Sequence, residues 1–345
     1  METLFIGTTL EGAISKIGTL KSAETQVIFV ISNEGHLRGS ITNGDIRRAI
    51  IKGMHLETDV IDVMNPKPNF IRDSELNQFV DLSLYRDKGI FQIPVVDEKN
   101  ILLKSIDARE KISLVPFDAV IMAGGRGKRL SPLTDVIPKP MLDLAGRPIL
   151  EWIIDDLIKY DVKHIYLSVN YLADKIKNHF GDSYRGVAIT YLEEKSPLGT
   201  AGALGFVSSN GRSLLVTNGD VLNNTKIDEM FRLHQDNSAL MTIASIKHEY
   251  KLPFAVMENV DGRLSSIVEK PTMTYDCNAG IYMLADKVLK KVVKNEYLDM
   301  PNLVESISEK RNGSVYIFNH FGYWMDIGTP DDYKQARSFM QYAVN

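Results

Sequence analysis

The sequence predicts an α/β fold whose mixed, mostly parallel sheet follows a smaller α+β region. From residue 118 onward, apolar segments typical of strands alternate with segments of helical spacing. This alternation favours a mostly parallel sheet covered by helices. Residues 1–112 instead contain an imperfect repeat of 64 residues, measured from Leu37 to Ile101, which is the size of one supersecondary unit. Two domains, 1–112 and 117–345, are therefore expected.

The composition is that of an ordinary globular protein. The chain has 345 residues, of which 44% are hydrophobic and 24% charged, and its net charge is -4. This charge gives no support to nucleic-acid binding. The single cysteine, Cys277, excludes an intramolecular disulfide framework and fits a reducing compartment. Without a basic-then-apolar N-terminus or an apolar run of roughly 20 residues, we expect a cytoplasmic chain with no membrane partner.

The two repeat copies predict the same order of elements. One begins at Val27 and the other at Gly89, and each has the pattern of a strand, a turn, a second strand and a helix. The proline-containing segment 63–68 separates the copies, because its prolines cannot continue a helix.

This N-terminal region resembles a pair of CBS domains, or Bateman module. The first copy reads "GSITNGDIRR", and its Thr42 and Asp45 stand where the family binds a ribose. A hydroxyl and a carboxylate can hold a ribose diol, while a helix N-terminus can hold a phosphate. The second copy has Asp107 but lacks the Thr-x-x-Asp spacing. Two interpretations stay open: binding of AMP or ATP, or a helix cap at Asp45 in a pair that serves dimerisation.

Six elements are expected in the C-terminal region, after a short linker at 113–118. They are a strand at 119–122, a helix at 148–160, a strand at 164–169, a helix at 173–180, and strands at 188–193 and 213–220. In such sheets, ligands bind at the carboxyl ends of the strands. A glycine-rich loop follows the first of these strands.

That loop, "AGGRGKRLSPLTDVIPKP", has the chemistry of a polyphosphate site. Gly124, Gly125 and Gly127 let backbone N–H groups approach an anion. Arg129 offers a planar fork of donors, and Lys139 is a compact cation between two prolines. The pattern is neither a dinucleotide-binding G-x-G-x-x-G nor a Walker A loop.

The string from Gly124 to Pro140 resembles the signature of sugar-1-phosphate nucleotidylyltransferases: G-G-x-G-x-R-L, P-L-T and P-K-P. The resemblance covers roughly residues 117 to 340. It implies a Rossmann-like, GT-A-like nucleotidyltransferase domain in which the loop from Ala123 wraps the triphosphate. Arg129 would contact the leaving phosphates, and Lys139 would lie near the α-phosphate and the sugar phosphate.

The family also uses Mg²⁺ at the α-phosphate. The matching carboxylates are Asp220, at the end of "LLVTNGD", and Asp326, in "WMDIGTPDDY". Carboxylates with phosphate oxygens and water suit magnesium. Asp220 as a cap and Asp326 as a turn residue are the ordinary alternatives.

Two further strings match the sugar pocket of the family. The resemblance implies that Glu269 binds sugar hydroxyls and that Lys270 contacts the sugar phosphate, in "EKP". Asn278 and the backbone of Gly280, in "NAGIY", would complete the pocket. Glu269 and Lys270 can alternatively form a surface ion pair.

The segment "EEKSPLGTAGAL" matches the base-binding segment. Gly199 would let the backbone approach the ring, Thr200 would begin a helix, and Asn170 would border the pocket. Relatives that use thymidine or uridine triphosphates commonly have Gln at the position of Glu194. Since a carboxylate only accepts hydrogen bonds and guanine presents two adjacent donors, Glu194 favours GTP. The alternative is that Glu194 faces water.

The resemblance implies an enzyme that joins an NTP and a sugar 1-phosphate into an NDP-sugar and pyrophosphate. GTP and a glucosamine-, mannose- or heptose-type sugar are expected, with uridylyl, cytidylyl or thymidylyl transfer as alternatives. The fusion to a CBS pair resembles enzymes that make GDP-amino-sugars for legionaminic-acid-type glycans. A homodimer or higher homo-oligomer is expected. An alternative of another class is a non-catalytic nucleotide sensor.

Overall fold

The structure is a computed structural model that describes residues 1–19, 27–194, 196–208, 210–308 and 314–344. The chain divides into two compact units. Unit 1 comprises Met1–Pro116 with Lys159–Asp161, and unit 2 comprises Phe117–Ile158 with Val162–Asn345.

Unit 1 contains short strands and short helices. Its strands are β1 (Thr3–Phe5), β2 (Val27–Ile31), β3 (Leu37–Thr42), β4 (Ile71–Arg72), β5 (Val80–Asp81), β6 (Gln92–Val96), β7 (Leu102–Asp107) and β8 (Ser113–Leu114). Its helices are α1 (Leu10–Gly18), α2 (Asn43–Ile51) and α3 (Ser83–Arg86), with 3₁₀ turns at Val60–Asp62 and Asp73–Asn77.

The repeat is visible as two three-stranded sheets of the same plan. In the sheet β1-β2-β3, the first pair is parallel and the second antiparallel. The sheet β4-β6-β7 repeats this arrangement. Each sheet covers its own apolar cluster, the first centred on Ile28, Val30 and Ile41, and the second on Ile93 and Val95. The strand–turn–strand order is therefore confirmed in both copies.

The helix predicted after the second strand is confirmed only in the first copy, as α2. In the second copy, the Asp107 carboxylate accepts hydrogen bonds from the Arg109 backbone N–H and Nε, both at 2.9 Å. The chain then turns and enters β8, which pairs with β5. The prediction of a helix there was wrong, because a local side-chain bond stabilises a turn instead.

Unit 2 contains the larger sheet. Its strands are β9 (Phe117–Met122), β10 (Asp143–Leu144), β11 (Arg147–Pro148), β12 (His164–Val169), β13 (Ser183–Tyr184), β14 (Val187–Glu193), β15 (Ser213–Asn218), β16 (Val221–Asn223), β17 (Met241–Lys251), β18 (Val256–Val260), β19 (Arg263–Val268), β20 (Thr272–Leu284), β21 (Val315–Asn319) and β22 (Trp324–Asp326).

The helices that follow β9 along the chain are α4 (Ile149–Lys159), α5 (Ala173–Phe180), α6 (Gly199–Gly202), α7 (Ile227–Asp236), α8 (Met300–Ser308) and α9 (Pro330–Val344). The 3₁₀ turns are Lys128–Leu130, Leu133–Asp135, Lys139–Met141, Ala203–Phe206 and Asp286–Lys291. Among the helices that the structure describes, none combines the length and the apolar character needed to cross a bilayer.

The described part of the main sheet has eight strands in the order β13-β14-β12-β9-β15-β20-β17-β21. Six of them run in one direction, and β13 and β20 run against the others. The mixed, mostly parallel sheet is confirmed. The predicted elements correspond to β9, α4, β12, α5, β14 and β15.

The linker predicted at 113–118 is not a free connection. Ser113 and Leu114 form β8, Val115 is buried, and Phe117 begins β9. Pro116 lies between these two strands, since a strand can end on one side of a proline and another can begin on the other.

Candidate active site

The glycine-rich loop leaves the main sheet at the carboxyl end of β9. The Ala123 backbone N–H donates to the Ser168 carbonyl at the end of β12, at 2.9 Å. On the other side, Gly219 N–H donates to the Met122 carbonyl at 2.9 Å. The loop therefore begins between two parallel neighbours of β9, at the edge of the sheet where ligands bind in such folds.

Two of the loop glycines are required by close packing. Gly127 has a φ of 62°, and a Cβ there would lie 3.0 Å from Thr134 Cγ2 and 3.1 Å from Lys139 Cβ. The Thr134 hydroxyl donates to the Gly127 carbonyl at 2.8 Å. At Gly124, a Cβ would lie 3.3 Å from the backbone nitrogen of Asn170. These glycines let the loop pack against Lys139 and the end of β12, while Gly125 has open space around it.

The two aspartates predicted for the metal lie side by side. The short strands β16 and β22 pair antiparallel with Val221 opposite Asp326, and Ile327 N–H donates to the Asp220 carbonyl at 3.1 Å. Lys139 is 7% exposed, and its ammonium contacts the Asp220 carboxylate directly. The distance from Lys139 Nζ to Asp326 Oδ1 is 3.8 Å. Residues 139, 220 and 326 thus form one charged cluster.

Opposing influences act on the Asp326 carboxyl. Burial and the neighbouring Asp220 charge raise its pKa, while Lys139 and Arg129 act to lower it. The Arg129 guanidinium lies over Gly328, where a Cβ would be 3.2 Å from Nη2. Two cations therefore lie beside two carboxylates.

The aspartate pair fits a hard divalent cation. Carboxylate oxygens are the ligands that magnesium prefers, and a pair suffices when substrate oxygens and water supply the remaining positions. Within the described residues, no group of three or more His, Cys, Asp or Glu side chains could hold a metal ion. Asp220 and Asp326, which both lie near the Lys139 ammonium, are the carboxylates of this cluster that could hold such an ion.

Asn278 and Gly280 lie beside this cluster. Gly280 has a φ of 73°, and a Cβ there would lie 2.7 Å from the Asn218 amide nitrogen at the end of β15. The Asn278 side chain accepts from Gly280 N–H at 2.9 Å. Trp324 of β22 donates to the Ala279 carbonyl at 2.8 Å. This backbone is thus held one strand away from Asp220.

Glu269 and Lys270 are placed differently. Their side chains are 72% and 68% exposed, and 3.9 Å separates Lys270 Nζ from Glu269 Oε1. The structure describes no hydrogen bond or ion pair that joins them to the charged cluster. They lie between β19 and β20, at the base of an exposed hairpin.

The base segment is anchored to the end of β12. The Ser168 hydroxyl donates to the Glu194 carboxylate, whose other oxygen accepts from Leu198 N–H at 2.9 Å. The Asn170 amide donates to the Glu194 carbonyl at 2.7 Å. Glu194 therefore holds the segment in place, and each of its oxygens keeps further acceptor capacity.

The helix expected at Thr200 is present as α6. Gly199 has a φ of 79°, and a Cβ there would lie 2.6 Å from the Leu298 carbonyl oxygen. Thr200 N–H donates to Asp299 Oδ1 at 3.1 Å, and Met300 N–H donates to the Thr200 hydroxyl at 2.8 Å. Packing within the protein therefore explains the glycine at position 199, because residues 298–300 approach its backbone too closely for a side chain.

Several residues of this region were not identified from the sequence. Asn218 adjoins Asp220 in "TNGD", and that string could have indicated it. Trp324 is another such residue, and its indole N–H donates to the Ala279 carbonyl. Asp299 had no sequence signal, because its role depends on a contact 99 residues away.

Unit 1 has a separate cavity of about 620 Å³. Thr42, Asp45 and Arg48 line it, with Phe91 and Gln92 from the second copy. Thr42 and Asp45 form a reciprocal cap at the start of α2, and Arg48 pairs with Asp45. The helix-capping role of Asp45 is therefore present, beside a cavity large enough for a small molecule.

Comparison with known proteins gives a consistent result for unit 2. A family described as nucleotidyl transferase matches residues 118–342. The chain is 32% identical over 225 residues to the mannose-1-phosphate guanylyltransferase catalytic subunit beta of Danio rerio, with 62% of each chain covered. It is 30% identical over 223 residues to a mannose-1-phosphate guanylyltransferase of Mycobacterium tuberculosis, covering 63% of this chain and 62% of that protein. The match thus spans less than two thirds of these curated relatives.

Solved structures share the fold. HddC from Yersinia pseudotuberculosis, complexed with GMP-PN, has a TM-score of 0.50 at 28% identity, covering 64% of this chain and 98% of that one. A putative glucose-1-phosphate thymidylyltransferase from Bacillus anthracis has a TM-score of 0.52 at 22% identity, covering 65% and 95%. The second likeness concerns the fold alone.

Proposed function

The chain belongs to the nucleotidyl transferase family, and on that premise we propose that it transfers a nucleotidyl group from a nucleoside triphosphate to a sugar 1-phosphate. The observation that carries the proposal is the cluster of Lys139, Asp220 and Asp326 beside the glycine-rich loop. Two anionic reactants can meet only where their charge is neutralised, and this cluster lies at the carboxyl edge of the sheet.

The reaction needs no general base. An oxygen of the sugar phosphate, already anionic at neutral pH, attacks the α-phosphorus of the triphosphate. The bond from that phosphorus to the oxygen bridging to the β-phosphate breaks, and pyrophosphate leaves. Catalysis then consists of alignment and of charge neutralisation by Arg129 and Lys139, with Lys270 brought in from the exposed 269–270 segment.

Asp220 and Asp326 would hold a magnesium ion. Bound there, Mg²⁺ supplies positive charge to phosphate oxygens. Exchange of Asp220 for Asn should lower turnover by about 100-fold or more, because one of the two ligands becomes a weaker neutral donor. Measurement of pyrophosphate release checks this, and near-normal turnover of folded Asp220→Asn would discard the metal assignment.

GTP is the proposed nucleotide, and a mannose-, glucosamine- or heptose-type 1-phosphate is the proposed acceptor. Support comes from Glu194, whose carboxylate can accept from guanine. It also comes from relatives named mannose-1-phosphate guanylyltransferases and from the complex of HddC with GMP-PN.

A substrate matrix tests the proposal. Pyrophosphate release is measured for GTP, UTP, CTP and dTTP, each with mannose-, glucosamine-, N-acetylglucosamine-, glucose- and heptose-1-phosphate. Turnover with GTP and one of these sugars is the expected result. Turnover with another triphosphate would overturn the choice of nucleotide alone. Nucleotide binding without any release would favour a sensor and overturn the transferase proposal.

For unit 1 we propose binding of an adenine nucleotide in the 620 Å³ cavity. Arg48 offers a cation for phosphate, and Asp45 and Thr42 offer oxygen atoms for a ribose. AMP binding by calorimetry, compared between the wild type and Arg48→Met, tests this. Equal heats in the two proteins, or none in either, would overturn it.

A further inference from the structure

The stretch Leu198–Gly202 of the proposed base site is held by a second segment, which belongs to none of the sequence motifs described above. The clamp consists of residues 297–300, which precede and begin α8. The Leu298 carbonyl accepts from Ala201 N–H at 2.9 Å and from Gly202 N–H at 3.0 Å. Leu298 N–H donates in turn to the Leu198 carbonyl at 2.8 Å. The free backbone N–H groups of Ala201 and Gly202 in α6 thus donate to this clamp.

Side chains complete the clamp at one point. Asp299 Oδ1 accepts from Thr200 N–H at 3.1 Å, and Asp299 Oδ2 accepts from the Tyr297 hydroxyl at 2.6 Å. The Thr200 hydroxyl accepts from Met300 N–H at 2.8 Å. Asp299 therefore caps the start of α6 (Gly199–Gly202) and directly precedes α8, which begins at Met300.

The other end of the same segment is fixed at the sheet. Glu194 links Ser168 to Leu198 N–H, and Leu198 is the residue whose carbonyl enters the clamp. Glu194 is thus held by β12, and the stretch Leu198–Gly202 is held by residues 297–300. A shift at Asp299 would pass directly to the backbone between Leu198 and Gly202.

From this geometry we propose that Asp299 is a positioning residue for nucleotide binding. It holds Thr200, and through Thr200 the backbone of Leu198–Gly202, in the form that receives the base. The inference rests on the proposed function, because that segment is the proposed base site. In this proposal Asp299 acts through Thr200 and not on the reacting atoms, so its loss should weaken binding of the triphosphate and leave binding of the sugar phosphate and the chemical step nearly unaffected.

Three variants test the inference. Asp299→Ala should raise the GTP KM, and the GTP Kd measured by calorimetry with Mg²⁺, by about fivefold to tenfold, the usual effect of losing a helix cap. The kcat and the KM for the sugar phosphate should change by less than about twofold. Asp299→Asn should recover most of the affinity, because its amide oxygen can still accept from Thr200 N–H. Tyr297→Phe, which removes one hydroxyl from an exposed side chain, should cost less than Asp299→Ala.

A matched control separates positioning from stability. Asp97 accepts from Lys99 N–H and Ile101 N–H in a turn of unit 1, so Asp97→Ala removes a similar local cap elsewhere. It should lower the Tm without changing the GTP Kd. An unchanged GTP Kd in folded Asp299→Ala would overturn the inference. Should the alanine variant not fold, Asp299→Ser takes its place, because it leaves one oxygen, on a shorter side chain, where Asp299 accepts from both Thr200 and Tyr297; an unchanged GTP Kd in that variant would overturn the inference too. Lack of turnover in the wild type counts against the proposed function, while the Kd comparison still decides the role of Asp299.

Discussion

At the scale of single residues, Lys139 is a counter-ion for the aspartate pair. Its ammonium contacts Asp220 and lies 3.8 Å from Asp326 Oδ1, on a side chain that is 9% exposed. Such a cation offsets the repulsion between two neighbouring carboxylates, which the proposed metal site requires to be close together. The same lysine would then serve the folded chain before substrate arrives and the phosphate groups afterwards.

Lys139→Met should therefore destabilise the metal-free protein by about 1–3 kcal/mol, because two carboxylates lose their buried cation. Addition of Mg²⁺ should raise the Tm of the variant more than that of the wild type, since the ion replaces the missing charge. Differential scanning calorimetry with and without Mg²⁺ measures both effects.

The control for this experiment is Lys16→Met. Lys16 pairs with Glu2 at 3.1 Å, with side chains 40% and 44% exposed. An exposed pair of this kind contributes about 0–1 kcal/mol. Equal losses of stability in the two variants would contradict the counter-ion role of Lys139.

Gly199 offers a second test at this scale. Gly199→Ala should lower the free energy of unfolding by more than the backbone strain of a positive φ accounts for. The reason is that its Cβ would lie 2.6 Å from the Leu298 carbonyl oxygen. Gly186→Ala is the matched control, since Gly186 has a φ of 82° with no atom within 4 Å of its Cβ position. We expect about 1–2 kcal/mol for Gly186→Ala and a larger loss, with weaker GTP binding, for Gly199→Ala. Urea unfolding measures the two losses, and equal values would contradict a backbone clash.

At the scale of elements, regular patterns were predictable and short pairings were not. The helix predicted at 173–180 corresponds to α5, and the strand predicted at 213–220 corresponds to β15, which ends two residues earlier at Asn218. The pairing of β16 with β22 was hidden, because strands of three residues are too short for any periodicity. The glycine-rich loop and Lys139 could be identified from a short stretch of sequence. The proximity of Asp220 to Asp326 instead depends on the pairing of strands that are far apart in the chain.

The contact of α7 with β17 makes stability depend on pH. His234 of α7 is buried, and its Nδ1 lies 3.0 Å from the Thr242 hydroxyl. Burial, with a smaller effect of Lys287, lowers the pKa of His234 to about 4. Since the unfolded chain takes up this proton near pH 6.5 and the folded chain does not, stability should fall as pH decreases from 6.5 towards 4, by up to about 3 kcal/mol.

Replacement of His234 by Gln removes this titration and keeps a polar group opposite Thr242. The free energy of unfolding from urea titrations should then vary less between pH 6.5 and 4 than in the wild type. Parallel curves for the two proteins would show that His234 does not carry the dependence.

At the scale of the whole molecule, the two units differ in what the sequence could establish. The repeat in unit 1 has a matching topology, since both sheets combine one parallel and one antiparallel pair. The loss of the second helix could not be predicted, because the turn that replaces it is stabilised by local hydrogen bonds between Asp107 and Arg109. In unit 2, the hairpin of β18 and β19 leaves Met257, Leu264 and Ile267 exposed, a feature that strand patterning alone does not indicate.

The pairing of β16 with β22 also has a bearing on synthesis. Asp326 follows Asp220 by 106 positions in the chain. The ribosome therefore adds Asp326 well after it has added Asp220. At about 5–20 residues per second, the interval lasts on the order of 5–20 s. During that time the nascent protein has the glycine-rich loop and Asp220 but not Asp326, so the proposed metal pair is complete only once Asp326 has been added.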